Sequence, residues 1–292
     1  MKIRNARTHA ALAIAVSALA APLAHAGWSS LNMTPGVTEL SKKIYDLHML
    51  IFWVCVAIGV LVFGVMIYSI ARFRKSNGAV ADASLTHHTG IEVAWTIVPV
   101  LILIAMAVPA ARVLLDIEDM RNTELTVKVT AYQWKWQYEY LDKKVSLYST
   151  LARDSNEARQ LQSGIDPATV PNYLLNVDHV FVVPENTKVR LLLTARDVIH
   201  AWWVPAFGMK RDAIPGFVNE LWFKVDRGKT GLYRGQCAEL CGQDHGFMPI
   251  VVEVKTQADF DAWIAARQAE QQPAAAPAPA TATIGAATSP IA

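Results

Sequence analysis

Charge is scarce in this chain. Only 18% of the 292 residues are Asp, Glu, Lys or Arg, and 27 basic against 25 acidic residues leave a formal net charge of +2. The Lys and Arg are scattered and form no basic stripe of the kind that meets a phosphate backbone, which argues against nucleic acid as a partner. Cysteine is scarcer still, and three residues cannot build the disulfide framework of a small secreted domain. Apolar residues are in excess instead: they make up 53% of the chain, and a mean hydropathy of +0.24 is more than a soluble domain of this length needs.

That excess has definite addresses. Residues 1–26 begin with Lys2, Arg4 and Arg7, run through apolar Ala10 to Leu23 and close on Ala24-His25-Ala26. This pattern predicts a secretory signal peptide cleaved after Ala26, the alternative being an uncleaved anchor. A short outward segment, 27–46, then leads to a first transmembrane helix at 47–71. Met49 to Ala71 holds no charged residue and as a helix covers the roughly 30 Å hydrocarbon layer. A second span is predicted at 92–115, charge-free from Val93 to Ala111 and containing Pro99 and Pro109, which membrane helices tolerate. Arg72, Arg74 and Lys75 lie between the spans, so the positive-inside rule puts the 72–91 loop in the cytoplasm and both mature termini outside. Cys55, alone in the first span, reads as packing.

From 116 to 255 the texture changes. Leu125, Val127 and Val129 alternate with Thr126, Lys128 and Thr130, and similar segments recur at His179–Val183, Lys188–Thr194, Glu220–Val225 and Pro249–Val254. Turn signals such as Pro184-Glu185-Asn186, Pro215-Gly216 and Arg227-Gly228 separate them. Short strands of this kind predict an antiparallel sandwich or barrel. Arg153 to Thr169 reads as an insertion or short helix. In 256–272 the Phe260, Trp263, Ile264 spacing predicts an amphipathic terminal helix, and the Ala/Pro tail at 273–292 has a disordered composition.

The chemistry is concentrated in Gly235-Gln-Cys237-Ala-Glu239-Leu-Cys241-Gly-Gln-Asp-His245-Gly-Phe-Met248. Cys, His and Met on one loop, with His200 upstream, is the ligand order of a copper-binding cupredoxin, because thiolate and imidazole suit copper and a thioether supplies a weak axial contact. One copper needs one Cys. A second thiolate, Cys237, can bridge and so permits two metals, each with one imidazole from His200 or His245, with Met248 weakly on one side and a backbone carbonyl on the other. A Cys237–Cys241 disulfide is one alternative, though so small a loop gains little from closure. Zinc is another, but it has no use for Met. His9, His25, His48, His87, His88 and His179 have no partners at ligand spacing and read as surface or boundary residues.

Asp197-Val-Ile-His200, Trp203-Val-Pro205, Pro215-Gly216 and Gly235-Gln-Cys237-Ala-Glu239-Leu-Cys241-Gly242, following two spans, resemble subunit II of a bacterial haem-copper (aa3-type) cytochrome c oxidase from about Leu47 to Val254. The resemblance implies a two-helix transmembrane hairpin followed by an all-β cupredoxin-like Greek-key sandwich or barrel in the bacterial inner membrane. It implies that His200, Cys237, the Glu239 carbonyl, Cys241, His245 and Met248 hold the two copper ions of the mixed-valence centre called CuA. The Glu239 side chain would reach a magnesium ion shared with subunit I. Trp134, in Tyr132-Gln-Trp134-Lys-Trp136, would take electrons from cytochrome c, and Glu92 would sit near the mouth of a proton pathway. Electrons would pass to haem in subunit I, where O2 is reduced to water and protons are pumped; subunit III is a further implied partner.

On the residues alone, Trp134 could equally pack and Glu92 could be an interfacial charge. The family's docking face is usually acidic where this chain reads Leu141-Asp142-Lys143-Lys144, and Lys135 adds charge of the wrong sign for steering a basic donor, although Glu139, Asp142, Asp154, Glu157 and Asp178 could contribute. Phe217 stands where many relatives carry Arg, and Ala201 replaces a common Ser. No Cys-x-x-Cys-His follows the sandwich, so a fused haem domain is not expected. Two other classes compete: a copperless quinol-oxidase-type structural subunit, opposed by the intact ligand set, and a membrane-tethered copper carrier. Nitrous oxide reductases share the copper motif but are soluble and far larger.

Overall fold

Helix α1 (Glu39–Arg72) and helix α2 (Thr89–Ile117) form an apolar hairpin. The computed structural model describes residues 31–80, 84 and 86–271, so the signal peptide and tail readings at 1–26 and 273–292 lie outside the described residues. With 34 residues α1 is about 51 Å long, well beyond the hydrocarbon layer. Its outward side chains are apolar: Val60 is 71% exposed and Ile67 63%. Such surface is stable only in lipid or against other apolar helices. Cys55 lies on the same outward apolar surface of the hairpin. The N-terminus of α2 is capped by His88, whose Nδ1 accepts from the Ile91 N–H while its own N–H donates to Glu92 Oε1 at 3.0 Å. Both prolines lie inside α2.

The C-terminal part is a sandwich of two five-stranded sheets. Its strands are β1 (Leu125–Tyr132), β2 (Lys135–Tyr140), β3 (Val145–Ser149), β4 (Phe181–Pro184), β5 (Val189–Ala195), β6 (His200–Val204), β7 (Met209–Ala213), β8 (Asn219–Phe223), β9 (Gly231–Cys237) and β10 (Pro249–Lys255). One sheet runs β3-β2-β1-β5-β8 and the other β4-β10-β9-β6-β7. The all-antiparallel expectation is corrected: β1 pairs parallel to β5, and β4 parallel to β10. Residue alternation reports which face is buried and carries no information on strand direction. The aromatic run 132–140 is mostly strand, with Trp136, Tyr138 and Tyr140 all inward.

Between the sheets Tyr138 stacks on Phe181 with centroids 4.4 Å apart. Buried hydroxyls need partners, and Tyr140 Oη donates to the Val182 carbonyl at 2.7 Å and accepts from its N–H at 3.0 Å. Helix α3 (Arg153–Ala158) occupies the expected insertion, and α4 (Gln257–Gln271) buries Phe260 and Ile264 against the sandwich end. Gln268 of α4 donates to the Lys143 carbonyl, which ties α4 to the β2–β3 turn.

Where hairpin meets sandwich, α1 begins inside the domain. Thr38 and Ser41 form a reciprocal capping box, satisfying helix-terminal N–H groups, and the buried Thr38 hydroxyl donates to the Phe207 carbonyl at 2.9 Å. Gly208, at φ +75°, lets the chain pass so close to Ser41 that a Cβ would lie 2.7 Å from its Cα. Lys42 pairs with Asp226, and Lys43 joins α1 to Asp116 of α2 at 2.9 Å. The end of α2 is held by the Trp222 indole, which donates to the Asp116 carbonyl, and by an Arg211–Glu118 ion pair.

Candidate metal centre

Strands β9 and β10 pair antiparallel, Gln236 opposite Pro249, so residues 238–248 form one loop returning the chain to its own sheet. Cys237 ends β9; Cys241, His245 and Met248 lie on the loop. Strand β6 pairs with β9 through Trp202 and Cys237, and Ala238 N–H donates to the Ala201 carbonyl, which brings His200 beside Cys237. Sheet pairing thus unites residues almost forty positions apart.

The donors face one another. Cys237 and Cys241 are both free, with sulfurs 3.8 Å apart. His200 Nδ1 lies 3.9 Å from Cys237 Sγ, and His245 Nδ1 lies 3.5 Å from Cys241 Sγ. Met248 Sδ is 3.5 Å from Cys241 Sγ, and the Glu239 carbonyl oxygen is 3.4 Å from Cys237 Sγ. His200, Cys237, Cys241 and Met248 are buried, and the ligand atoms of His200 and the two thiols all lie within 4.8 Å of one another. Two thiols, two imidazoles and a thioether form a soft donor set that fits copper; zinc would leave the thioether unused.

Burial raises the cost of a thiolate at Cys237, but hydrogen bonds from His200, backbone N–H groups and His245 outweigh it and hold the thiol below the usual range. Cys241 is pushed up, first by burial and then by the charge of Cys237. One negative charge already suits the metal-free cluster. The second needs a cation beside it, which a bound metal supplies.

A supporting ring fixes these groups. Asp197 Oδ1 accepts from His200 Nε2 at 2.9 Å, which turns Nδ1 toward the sulfur, and Asp197 Oδ2 accepts from the Gln133 N–H at 2.7 Å. Those bonds, opposing the effect of burial, hold the Asp197 carboxyl below its ordinary range. Trp136, buried behind the site, donates to the Met248 carbonyl at 3.1 Å and meets His200 edge-on. Arg159, just after α3, pairs with Asp244 and lies over the Phe247 ring at 4.3 Å, clamping the loop on either side of His245. The sequence alone assigns no role to Asp197, Trp136 or Arg159. The Asp-x-x-His spacing was a usable signal for the first; nothing pointed to Arg159.

Trp134 lies at the site. Its indole N–H donates to the Cys241 carbonyl at 3.1 Å, as does the Gln133 amide at 2.9 Å. The close fit needs glycine at 242, where φ is +112° and a Cβ would sit 3.2 Å from the Trp134 ring. Trp134 is half-buried against the core, so packing and contact with the metal loop coexist. The Glu239 side chain is exposed. Glu92 is not near the cluster: it occupies the first turn of α2, about 38 Å of helix from the sandwich end.

Comparison with known proteins agrees with this architecture. The family model described as cytochrome C oxidase subunit II, periplasmic domain, matches residues 125–255, and the model of its transmembrane domain matches residues 26–113. A probable cytochrome c oxidase subunit 2 of Rickettsia bellii is 38% identical over 238 residues, 81% of this chain and 84% of that protein. The cytochrome c oxidase subunit 2 of Cereibacter sphaeroides is 37% identical, covering 79% and 78%. Among solved structures, the periplasmic domain of subunit II of cytochrome oxidase (CoxB) of Bradyrhizobium japonicum is 43% identical over 51% of this chain and 96% of that one, with a TM-score of 0.43. With both halves matched and relatives similar over most of their length, the chain belongs to the cytochrome c oxidase subunit II family, membrane proteins with two spans that form part of an oxidoreductase complex.

Proposed function

We propose that this chain is the subunit through which electrons pass from cytochrome c into a respiratory terminal oxidase, on to haem in subunit I, where O2 is reduced to water with proton pumping. His200, Cys237, Cys241, His245, Met248 and the Glu239 carbonyl would hold the two copper ions of CuA, which when bound take up and release one electron shared between them. The observation that carries this reading is the meeting of five N and S donors, four of them buried, with Trp134 bonded to the same loop.

The surrounding residues have distinct tasks. Burial keeps water from the thiols, and the Asp197 and Trp136 bonds restrain His200 and the Met248 backbone, so little rearranges when charge changes. Trp134 offers an aromatic path from the surface to the Cys241 carbonyl. The exposed Glu239 carboxylate is assigned to magnesium at the boundary with subunit I. Glu92, on the cytoplasmic side, is assigned to the proton pathway mouth, a role compatible with its capping bond. In the bacterial inner membrane, the sandwich (116–255), the 27–46 segment and both mature ends face the periplasm. The 72–91 loop faces the cytoplasm, and subunits I and III cover the hairpin.

Copper content and electron paramagnetic resonance of the purified complex test this. Two coppers in this chain with one unpaired electron shared equally over both nuclei are expected. One copper with a localised signal, or none with a Cys237–Cys241 disulfide, would turn the reading to a carrier or a copperless structural subunit.

A further inference from the structure

The two imidazoles of the donor set are held in different ways. His200 is fixed through its own ring, since Asp197 Oδ1 accepts from its Nε2. Among the described residues, no side chain outside the donor set bonds the His245 ring, which meets only the two thiols. Its place is set by the backbone of a short 3-10 turn, His245–Phe247, in which the Phe247 N–H donates to the Asp244 carbonyl at 2.9 Å. Hydrogen-bond geometry in a single 3-10 turn is poor, so such a turn holds its shape weakly unaided.

An arm from a distant part of the chain supports it. Residues 151–177 leave the sandwich after β3 and return before β4, and the base of the arm is closed. Leu151 bridges Val177, the Ala152 N–H donates to the Asn176 carbonyl at 3.0 Å, and the Asp178 carboxylate accepts from both the backbone and the hydroxyl of Thr150. Within the arm, the buried Ser155 hydroxyl accepts from the Leu174 N–H at 3.2 Å. Arg234 of β9 donates to Asn176, tying the arm to the strand that ends in Cys237.

Arg159 joins this arm to the metal loop with its whole guanidinium. Nε donates to Asn156 of α3 at 2.8 Å, and the other two nitrogens donate to the two oxygens of Asp244 at 3.1 and 3.2 Å. Such a fork fixes direction as well as distance. The flat face of the same group covers the Phe247 ring at 4.3 Å. The Arg159 and Asp244 side chains keep only 21% and 25% of their surface exposed, so water screens this pair less than the open Arg153–Glu157 pair on α3.

Resting on the two-copper reading above, we infer that Arg159 is the positioning residue for His245. The arm holds the backbone on both sides of that imidazole, and so fixes how evenly the two halves of the donor set share one electron and how firmly they retain metal. His200, held by Asp197, does not depend on it.

The test uses the intact oxidase complex. Arg159→Ala is expected to be purified with both coppers, to lose them to a chelator about tenfold faster, and to show an electron resonance spread unequally over the two nuclei. Electron–nuclear double resonance is expected to find one histidine nitrogen coupling moved and the other unchanged. Arg159→Lys keeps the charge without the fork or the flat face, and is expected to fall between the two; it carries the measurement if the alanine complex fails to assemble. Arg153→Ala, whose side chain is 92% exposed and pairs with Glu157 alone, should match the unsubstituted complex. Unchanged chelation and spectra in the Arg159 variants, or equal movement of both histidine couplings, overturns the inference. Failure of the copper reading is separable, because the unsubstituted complex itself would then lack two coppers or their shared signal.

Discussion

The hairpin and the sandwich are built from the same apolar residue types, placed oppositely. In α1, Phe63 and Ile67 point outward; in the sandwich, Phe223 and Leu191 are fully buried. The contrast shows that hydrophobic surface is a statement about the intended solvent. Lipid solvates the outside of the hairpin, whereas water drives the sandwich side chains together.

The largest predicted effect uses one substitution in both regions. Phe223→Ala should cost the sandwich about 3–5 kcal/mol, and Phe63→Ala should leave sandwich melting unchanged. Circular dichroism of the purified protein on heating reads both, and equal shifts would break the comparison. Next is charge at the hairpin surface. Val60→Lys should cost about 2.5–3.5 kcal/mol of insertion, scored by membrane fractionation, whereas Leu232→Lys on the exposed edge of β9 should insert normally. At the junction, Thr38→Ala removes a cap and a buried hydrogen bond and should cost about 1–2 kcal/mol, with faster hydrogen exchange at Val37 and Lys42 but not at Val252.

Within the sandwich, Met248→Leu should leave copper bound and shift the reduction potential, since only a weak ligand is lost. Complete loss of copper would contradict the assignment. The smallest effect is at Asp119, beyond the end of α2. Hydrogen bonds from Arg121 depress its carboxyl pKa, so its contribution is present above the unfolded value of about 3.9 and is lost as pH falls through the folded one. Asp119→Asn should therefore lower melting slightly at neutral pH, with the gap to the unsubstituted protein closing as pH falls through the acid limb; a gap that does not change with pH would reject that cause.

Legibility followed the same division. Spans announce themselves because lipid tolerates almost no charge over Met49–Ala71 and Val93–Ala111, and the two helices contain those stretches. The metal loop was legible because four of its donors are close in sequence. Much of the rest depended on contacts the chain makes only after folding. Strand β6 has no simple alternation, since His200, Ala201 and Trp202 are all buried. Arg159 reaches its loop across 85 positions. For Trp134 the sequence leaves packing and the proposed electron-entry role as alternatives; the half-buried ring packs its apolar face on the core while its N–H bonds the metal loop, so packing does not exclude the proposed role.

The capping box at Thr38 has a consequence for distance. Because α1 starts within the sandwich and continues without a break to Arg72, the helix works as a mast stepped directly into the metal-bearing domain. The height of the cysteine pair above the bilayer is then set by helix pitch and not by a slack tether. Electron tunnelling decays exponentially with separation, so a rigid mast converts a few buried hydrogen bonds at its foot into a constant transfer rate.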